Sequence, residues 1–168
     1  VPVDQLAEYT KDITDLIKRL GTSAGFYGHA SAGCLHIRPL VNLKTQSGKE
    51  LMSELTDETF KLALKYGGVM SGEHGDGLQR SYLNQKLFGD ELYGAMKDLK
   101  SIFDPDNMYN PGKVVDAPSA VDDLRFGDSY QSQGVRTYLD WSSDKGFAGA
   151  VETVSYTHLR AHETPLHR

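Results

Sequence analysis

Two histidines in "YGHASAGCLH", His29 and His36, and an adjacent glutamate–histidine pair, Glu73 and His74, are the residues of this sequence best suited to chemistry. Two imidazoles and one carboxylate form a donor set that holds a divalent cation while leaving positions open for water or substrate. Glu73 and His74 stand in "GGVMSGEHGDG", among five glycines. Glycine costs conformational entropy and is kept where a chain turns sharply or approaches another group closely. In an extended stretch, neighbouring side chains point to opposite sides. That alternation gives Glu73 the ion and His74 a separate task as a base facing the substrate.

The two histidines need a structure that brings them together. A helix separates residues seven apart by about two turns. A hairpin with a two-residue turn at Ala32 and Gly33 instead sets His29 directly opposite His36, with Cβ atoms roughly 4.5–5.5 Å apart. Taken alone, two histidines on a hairpin read first as ordinary satisfied or exposed histidines, and the glycine-rich loop is equally compatible with a plain surface connection. Glu73 as a third ligand favours an ion. "GEHGDG" lacks the Lys-Ser/Thr of a phosphate-binding loop, and the sequence has no H-E-x-x-H helix.

Arg38 and Arg80 are candidate clamps for a substrate carboxylate, because a guanidinium offers paired donors matched to it, although each taken alone reads first as a solvated surface residue. Cys34 reads as a small packing residue rather than a nucleophile, since nothing in the sequence marks a stabilised thiolate. Tyr93, Phe103 and Tyr109 read as core rather than as a base-stacking platform.

The elements that must position these residues follow from periodicity. "VPVDQLAEYTKDITDLIKRLG" spaces Leu6, Tyr9, Ile13, Leu16, Ile17 and Leu20 as one face of a helix closed by Gly21. Leu35, Ile37 and Val41 then alternate with Cys34, His36, Arg38 and Leu40 as in strands. A second helix is expected over 50–66, with Leu51, Leu55, Phe60 and Leu64 inward and Gly67–Gly68 as its stop. "VMS" reads as a short strand. "FGDELYGAMKDLKSIFD" is a third helix with Leu92, Met96, Leu99, Ile102 and Phe103 on one face, ended by Pro105. Strands joined by a tight turn are antiparallel, so the expected class is α+β: an antiparallel sheet with helices packed on one face.

Composition bounds the possibilities. The 168 residues are 39% hydrophobic and 24% charged, with a formal charge of −5. That suits a globular domain and argues against nucleic acid, which calls for a basic face. The single cysteine excludes an internal disulfide framework and fits a reducing, cytoplasmic setting. No apolar run has the roughly 20 residues of a membrane span. Val1 opens into an amphipathic pattern without a secretory leader and is not an initiator Met, so a fragment of a longer protein is expected. The last residues, "VSYTHLRAHETPLHR", resemble a translated sequencing adapter and are set aside as non-native. The expected organisation is a domain over 1–115, a linker over 116–153 and a non-native tail over 154–168.

Three ordered motifs, "YGHASAGCLHIRPL", "GGVMSGEHGDGLQRS" and "FDPDNMYNPGKVV", together resemble the C-terminal domain of FAD-linked oxidases. That family includes glycolate oxidase, D-lactate dehydrogenase and D-2-hydroxyglutarate dehydrogenase. The stretch from Asp116 to Thr153 resembles the connection, in long fused members, to an iron-sulfur half. The resemblance implies a substrate-cap and active-site domain, an upstream FAD-binding domain, and oxidation of a D-2-hydroxy acid. It implies a divalent metal (Zn, Mn or Fe) on His29, His36 and Glu73, with His74 as the base. It also implies Asn110 and Lys113 as flavin contacts, and an iron-sulfur cluster downstream. An electron acceptor at the inner membrane would make the parent peripheral to it. Family members of the glycolate oxidase type read H-x-G-D-G-N-x-H, whereas this chain has Ser31, Ala32 and Cys34 at the first Gly, the Asp and the Asn. Two other readings are a metal-dependent hydrolase using the same two histidines and glutamate, and a non-catalytic interaction module.

Overall fold

The computed structural model describes all residues except 123, 125, 126, 128, 133 and 153–168. The proposed non-native tail therefore lies outside the described residues. The chain divides into two compact units, Val1–Ser129 and Tyr130–Arg168.

The first unit is an α+β arrangement, in agreement with the sequence. Helix α1 is Leu6–Arg19, and its expected stripe buries Tyr9, Ile13, Leu16 and Ile17. Burial pushes the Tyr9 hydroxyl pKa up to about 12. The helix stops where Thr22 N–H reaches back to the Ile17 carbonyl, a bond that satisfies an otherwise orphaned end group. Strands β1 (Ala24–His29) and β2 (Cys34–Pro39) pair antiparallel. Helix α2 runs Gln46–Lys65. It starts four residues before the expected boundary, because Thr45 caps it by accepting from Gly48 N–H at 3.1 Å, a stop-and-start signal of the N-cap kind. Its end follows expectation, with Gly68 N–H on the Ala63 carbonyl at 2.8 Å.

Ile13, Leu16, Ile17 and Leu55 form the core, and Ala24, Phe26, Leu35 and Ile37 of the hairpin pack against it. These four hairpin residues occupy one face of the two strands, since side chains alternate along each. The helices thus cover one face only. The other face carries Tyr27, His29, Cys34, His36 and Arg38.

Three expectations about these elements fail. Val69–Ser71 is not a strand among the described residues, since the sheet has two strands and offers that segment no ladder. On α2, Ala63 is buried and Leu64 is 39% exposed, because the contact face turns slightly from the expected one. Helix α3 is a single turn, Gly77–Arg80, and α4 spans Asn84–Phe103 with a kink at Gly89. Most of the apolar face expected to be inward on α4 is exposed: Leu92, Leu99, Ile102 and Phe103 are all half or more open, as is Tyr109 beyond it. Periodicity marks an apolar face, but burial needs another element to cover it, and among the described residues of this unit none covers these positions. Tyr93 differs, since its hydroxyl accepts from Asp116 N–H at 2.9 Å.

The turn after α4 is built on Asp104, which is 8% exposed. Its carboxylate accepts from Lys100 Nζ, from Met108 N–H at 2.8 Å and from Tyr109 N–H at 2.9 Å. The Lys100 ammonium, with those two amides, holds the Asp104 carboxyl below its ordinary pKa against a smaller opposing effect of burial. Buried Ser81 and Asn84 then fix the next segment: Ser81 Oγ accepts from Val114 N–H and Asn84 Nδ2 donates to the Val114 carbonyl, both at 3.0 Å. In the second unit the Tyr130 hydroxyl donates to Glu152 Oε1 at 3.3 Å, and the Trp141 and Phe147 rings meet edge to face.

Candidate metal centre

The hairpin register differs from the expected one. Tyr27, not His29, lies opposite His36, and His29 lies opposite Cys34. The reason is the turn, which takes Ala30–Ala32 as a short 3-10 segment and Gly33 at φ 64, a left-handed backbone suited to glycine. The shift is two residues, which preserves the face on which each side chain stands. His29 and His36 therefore remain neighbours on the diagonal, with ring centroids 5.6 Å apart.

Glu73 reaches this face from the loop after α2. One carboxylate oxygen lies 2.6 Å from His36 Nε2, and the other 3.4 Å from His29 Nε2. A ligand atom from each of the three residues falls within 4.8 Å of the others. Ligand atoms around a four-coordinate zinc with bonds near 2.1 Å stand about 3.4 Å apart. The His29 spacing already matches that value, and the His36 spacing reaches it by withdrawing the carboxylate by under about 1 Å. Two nitrogen donors and one oxygen donor are of a type that could hold a divalent ion.

His74 departs from the expected geometry. Its Nε2 lies 3.4 Å from Glu73 Oε1, so the two neighbours turn toward the same point rather than to opposite sides. Residues 72–74 form a bend, not an extended strand. Alternation does not apply there, and the Ser71 hydroxyl donating to the His74 carbonyl holds the bend closed. Gly72 shows what one loop glycine is for: a Cβ there would stand 3.3 Å from Cys34 Sγ, so the loop passes close against β2.

The site lies open on its unit. His29 and His74 are 62% and 74% exposed in their side chains, whereas His36 is 21% exposed. His36 is also held from behind, since the Tyr27 ring stacks on it at 4.5 Å and 11°. Sequence reasoning missed Tyr27. The signal available was its place two residues before His29, which on a strand means the same face.

Arg38 stands on this face and donates from Nη2 to the Tyr27 hydroxyl at 2.7 Å and from Nε at 3.2 Å. Arg80 ends α3, half-buried. Asn110 and Lys113 lie apart in the turn beyond α4, exposed, with Lys113 Nζ donating to Asn110 Oδ1 at 3.0 Å.

A fold of this class, with a hairpin face presenting histidines to a glycine-rich carboxylate loop, also has counterparts by sequence. The family described as FAD linked oxidases, C-terminal domain, matches residues 1–114. The chain belongs to that family. It is 37% identical over 124 residues to the D-2-hydroxyglutarate dehydrogenase of Haemophilus influenzae, covering 74% of this chain and 12% of that protein. It is 37% identical over 115 residues to the D-lactate dehydrogenase of Archaeoglobus fulgidus, covering 68% of this chain and 25% of that protein. It is 36% identical over 115 residues to the glycolate oxidase subunit GlcD of Bacillus subtilis, covering 68% and 24%. The chain therefore spans between about an eighth and a quarter of these relatives. Among the described residues, no helix is long and apolar enough to cross a membrane.

Proposed function

We propose that this chain is the C-terminal, substrate-binding part of a flavin-dependent dehydrogenase that oxidises a D-2-hydroxy acid of the D-lactate, glycolate or D-2-hydroxyglutarate type. The observation that carries the reading is the convergence of His29, His36 and Glu73 on one hairpin face, with His74 against the same carboxylate. The printed activities of the relatives support the substrate class.

His29, His36 and Glu73 hold the divalent ion, with Zn, Mn and Fe all compatible with this donor set. When bound, the ion supplies Lewis-acid polarisation of the substrate's hydroxyl and carboxylate oxygens, and FAD supplies the hydride acceptor. His74 Nε2 takes the hydroxyl proton. Arg38, steadied by the Tyr27 hydroxyl, and Arg80 bind the substrate carboxylate. Asn110 and Lys113 present an amide and an ammonium, donors that suit flavin oxygens, and we assign them as this chain's contacts to it. FAD is held mainly by other segments of the parent protein. Residues 1–115 form the domain, and 116–153 lead toward an iron-sulfur half. The open apolar side of α4 supports docking of the upstream flavin domain there.

The test uses the flavin-loaded parent protein with an artificial dye acceptor. Dye reduction with at least one of D-2-hydroxyglutarate, D-lactate and glycolate is expected, and its loss in Glu73→Gln. A parent that reduces dye with none of the three overturns the substrate class. The 168-residue chain alone is expected to reduce no dye.

A further inference from the structure

Among the described residues, Ser81 and Asn84 are the most deeply buried polar side chains, 0% and 2% exposed. Both bind the backbone of one residue. Val114 N–H donates to Ser81 Oγ, and the Val114 carbonyl accepts from Asn84 Nδ2, each at 3.0 Å. Val114 stands at φ 68, a left-handed backbone that is an outlier for a β-branched residue. Its side chain is 48% exposed, so the restraint on that backbone comes chiefly from the two hydrogen bonds. Conformations this disfavoured persist where the surroundings over-determine them, and they gather at functional sites.

The same serine holds a second segment. Its hydroxyl donates to the Gly77 carbonyl, and Gly77 is also left-handed, at φ 56. An N–H can only donate, so Ser81 Oγ accepts from Val114 and turns its single proton to Gly77. Gly77 lies three residues after His74, and Val114 lies next to Lys113. The turn also packs against α3, since a Cβ at Gly112 would stand 4.0 Å from Leu78 Cδ2. One buried hydroxyl therefore joins the loop that carries Glu73 and His74 to the turn that carries Asn110 and Lys113.

We propose that Ser81, assisted by Asn84, is a positioning residue that places these two segments relative to each other by holding Val114 left-handed. The proposal rests on the functional reading above, in which His74 takes the proton and Asn110 and Lys113 meet the flavin, and it adds what fixes one to the other. Loss of the hydroxyl leaves Val114 N–H without its partner, which is costly in a covered position. Residue 114 then relaxes to an ordinary negative φ, and the peptide bearing Lys113 rotates with it. Proton and hydride leave the same substrate, so the groups that receive them must be set together, and a misplacement of about 1 Å costs up to roughly 10²-fold in rate. His29, His36 and Arg38 stand on the hairpin, which this link does not touch, so the loss falls on kcat rather than on KM.

Dye reduction by the flavin-loaded parent protein, expressed per bound flavin, is the test. Ser81→Ala is expected to lower kcat about tenfold or more while KM stays within about threefold. Adding Val114→Gly to Ser81→Ala returns kcat to within about threefold of the wild type, because glycine takes a left-handed φ without the clamp. An unchanged kcat in Ser81→Ala, or a loss that Val114→Gly does not restore, overturns the proposal. Should Ser81→Ala not fold, the 168-residue chain carrying Val114→Gly alone decides. Its melting temperature is expected to equal or exceed that of the wild type, and a fall of more than about 4 °C shows Val114 to be unstrained and overturns the proposal. A wild-type parent that turns over none of the three acids removes the functional reading, and the positioning role with it.

Discussion

His36 and His74 meet the same carboxylate yet differ in setting. His36 is mostly covered and backed by the Tyr27 ring, so its Nε2 is held in direction, whereas His74 is open to solvent. The proposed roles, His36 as ligand and His74 as base, make different predictions for the two residues. Removing His36 leaves Glu73 with one imidazole partner from the hairpin, and His36→Ala is expected to abolish cobalt binding, read by spectroscopic titration. His74→Ala is expected to leave cobalt affinity nearly unchanged and to lower kcat of the flavin-loaded parent by about 10²-fold or more, the scale of a lost general base. An unchanged kcat removes His74 from the reaction. His29, His36, Glu73 and His74 were all legible as candidates from residue type and motif. Tyr27 was not, because an aromatic on a strand reads first as packing.

Among the elements, the turn after α4 depends on a single buried carboxylate. Asp104 has a depressed pKa, chiefly through its hydrogen bond with Lys100. A carboxyl lowered in the folded state adds stability above its unfolded value, near 3.9, and loses that contribution as pH falls through the folded value. Asp104→Asn is therefore expected to lower the melting temperature at about pH 7. Near pH 3 and below, the gap between variant and wild type narrows. Thermal unfolding followed by circular dichroism across that range checks both the sign and the window. A gap that widens in acid rules out this account. In the sequence the segment read only as a proline-ended turn, since its organising contacts run from one carboxylate to two backbone amides.

Across the first unit, burial is uneven in a way that predicts opposite outcomes for similar substitutions. Ile13 is fully buried among α1, α2 and the hairpin, and Ile102 is 74% exposed on α4. Ile13→Ala is expected to cost about 2–5 kcal/mol, as for other large-to-small changes in a packed core. Ile102→Ala should change stability by about 0.5 kcal/mol or less. Urea unfolding of the two variants separates them, and a large loss at Ile102 would mean that α4 is covered in solution. The paired substitution Ile102→Lys with Phe103→Lys should lower binding of a hydrophobic dye without changing the unfolding midpoint appreciably, because it removes open apolar surface.

Local periodicity determined the faces of α1 and α2, the hairpin and the α+β class, because a face that must be buried leaves its mark at spacings of two or three to four residues. Motif residues determined the family and named the histidines and the glutamate. Only the tertiary structure decided that the turn takes four residues, that Glu73 and His74 bend to a common point beside Cys34, and that the α4 face is left uncovered. Each of these depends on contacts between segments distant in the chain, and the spacing of residues within one segment carries no record of what a distant segment will do.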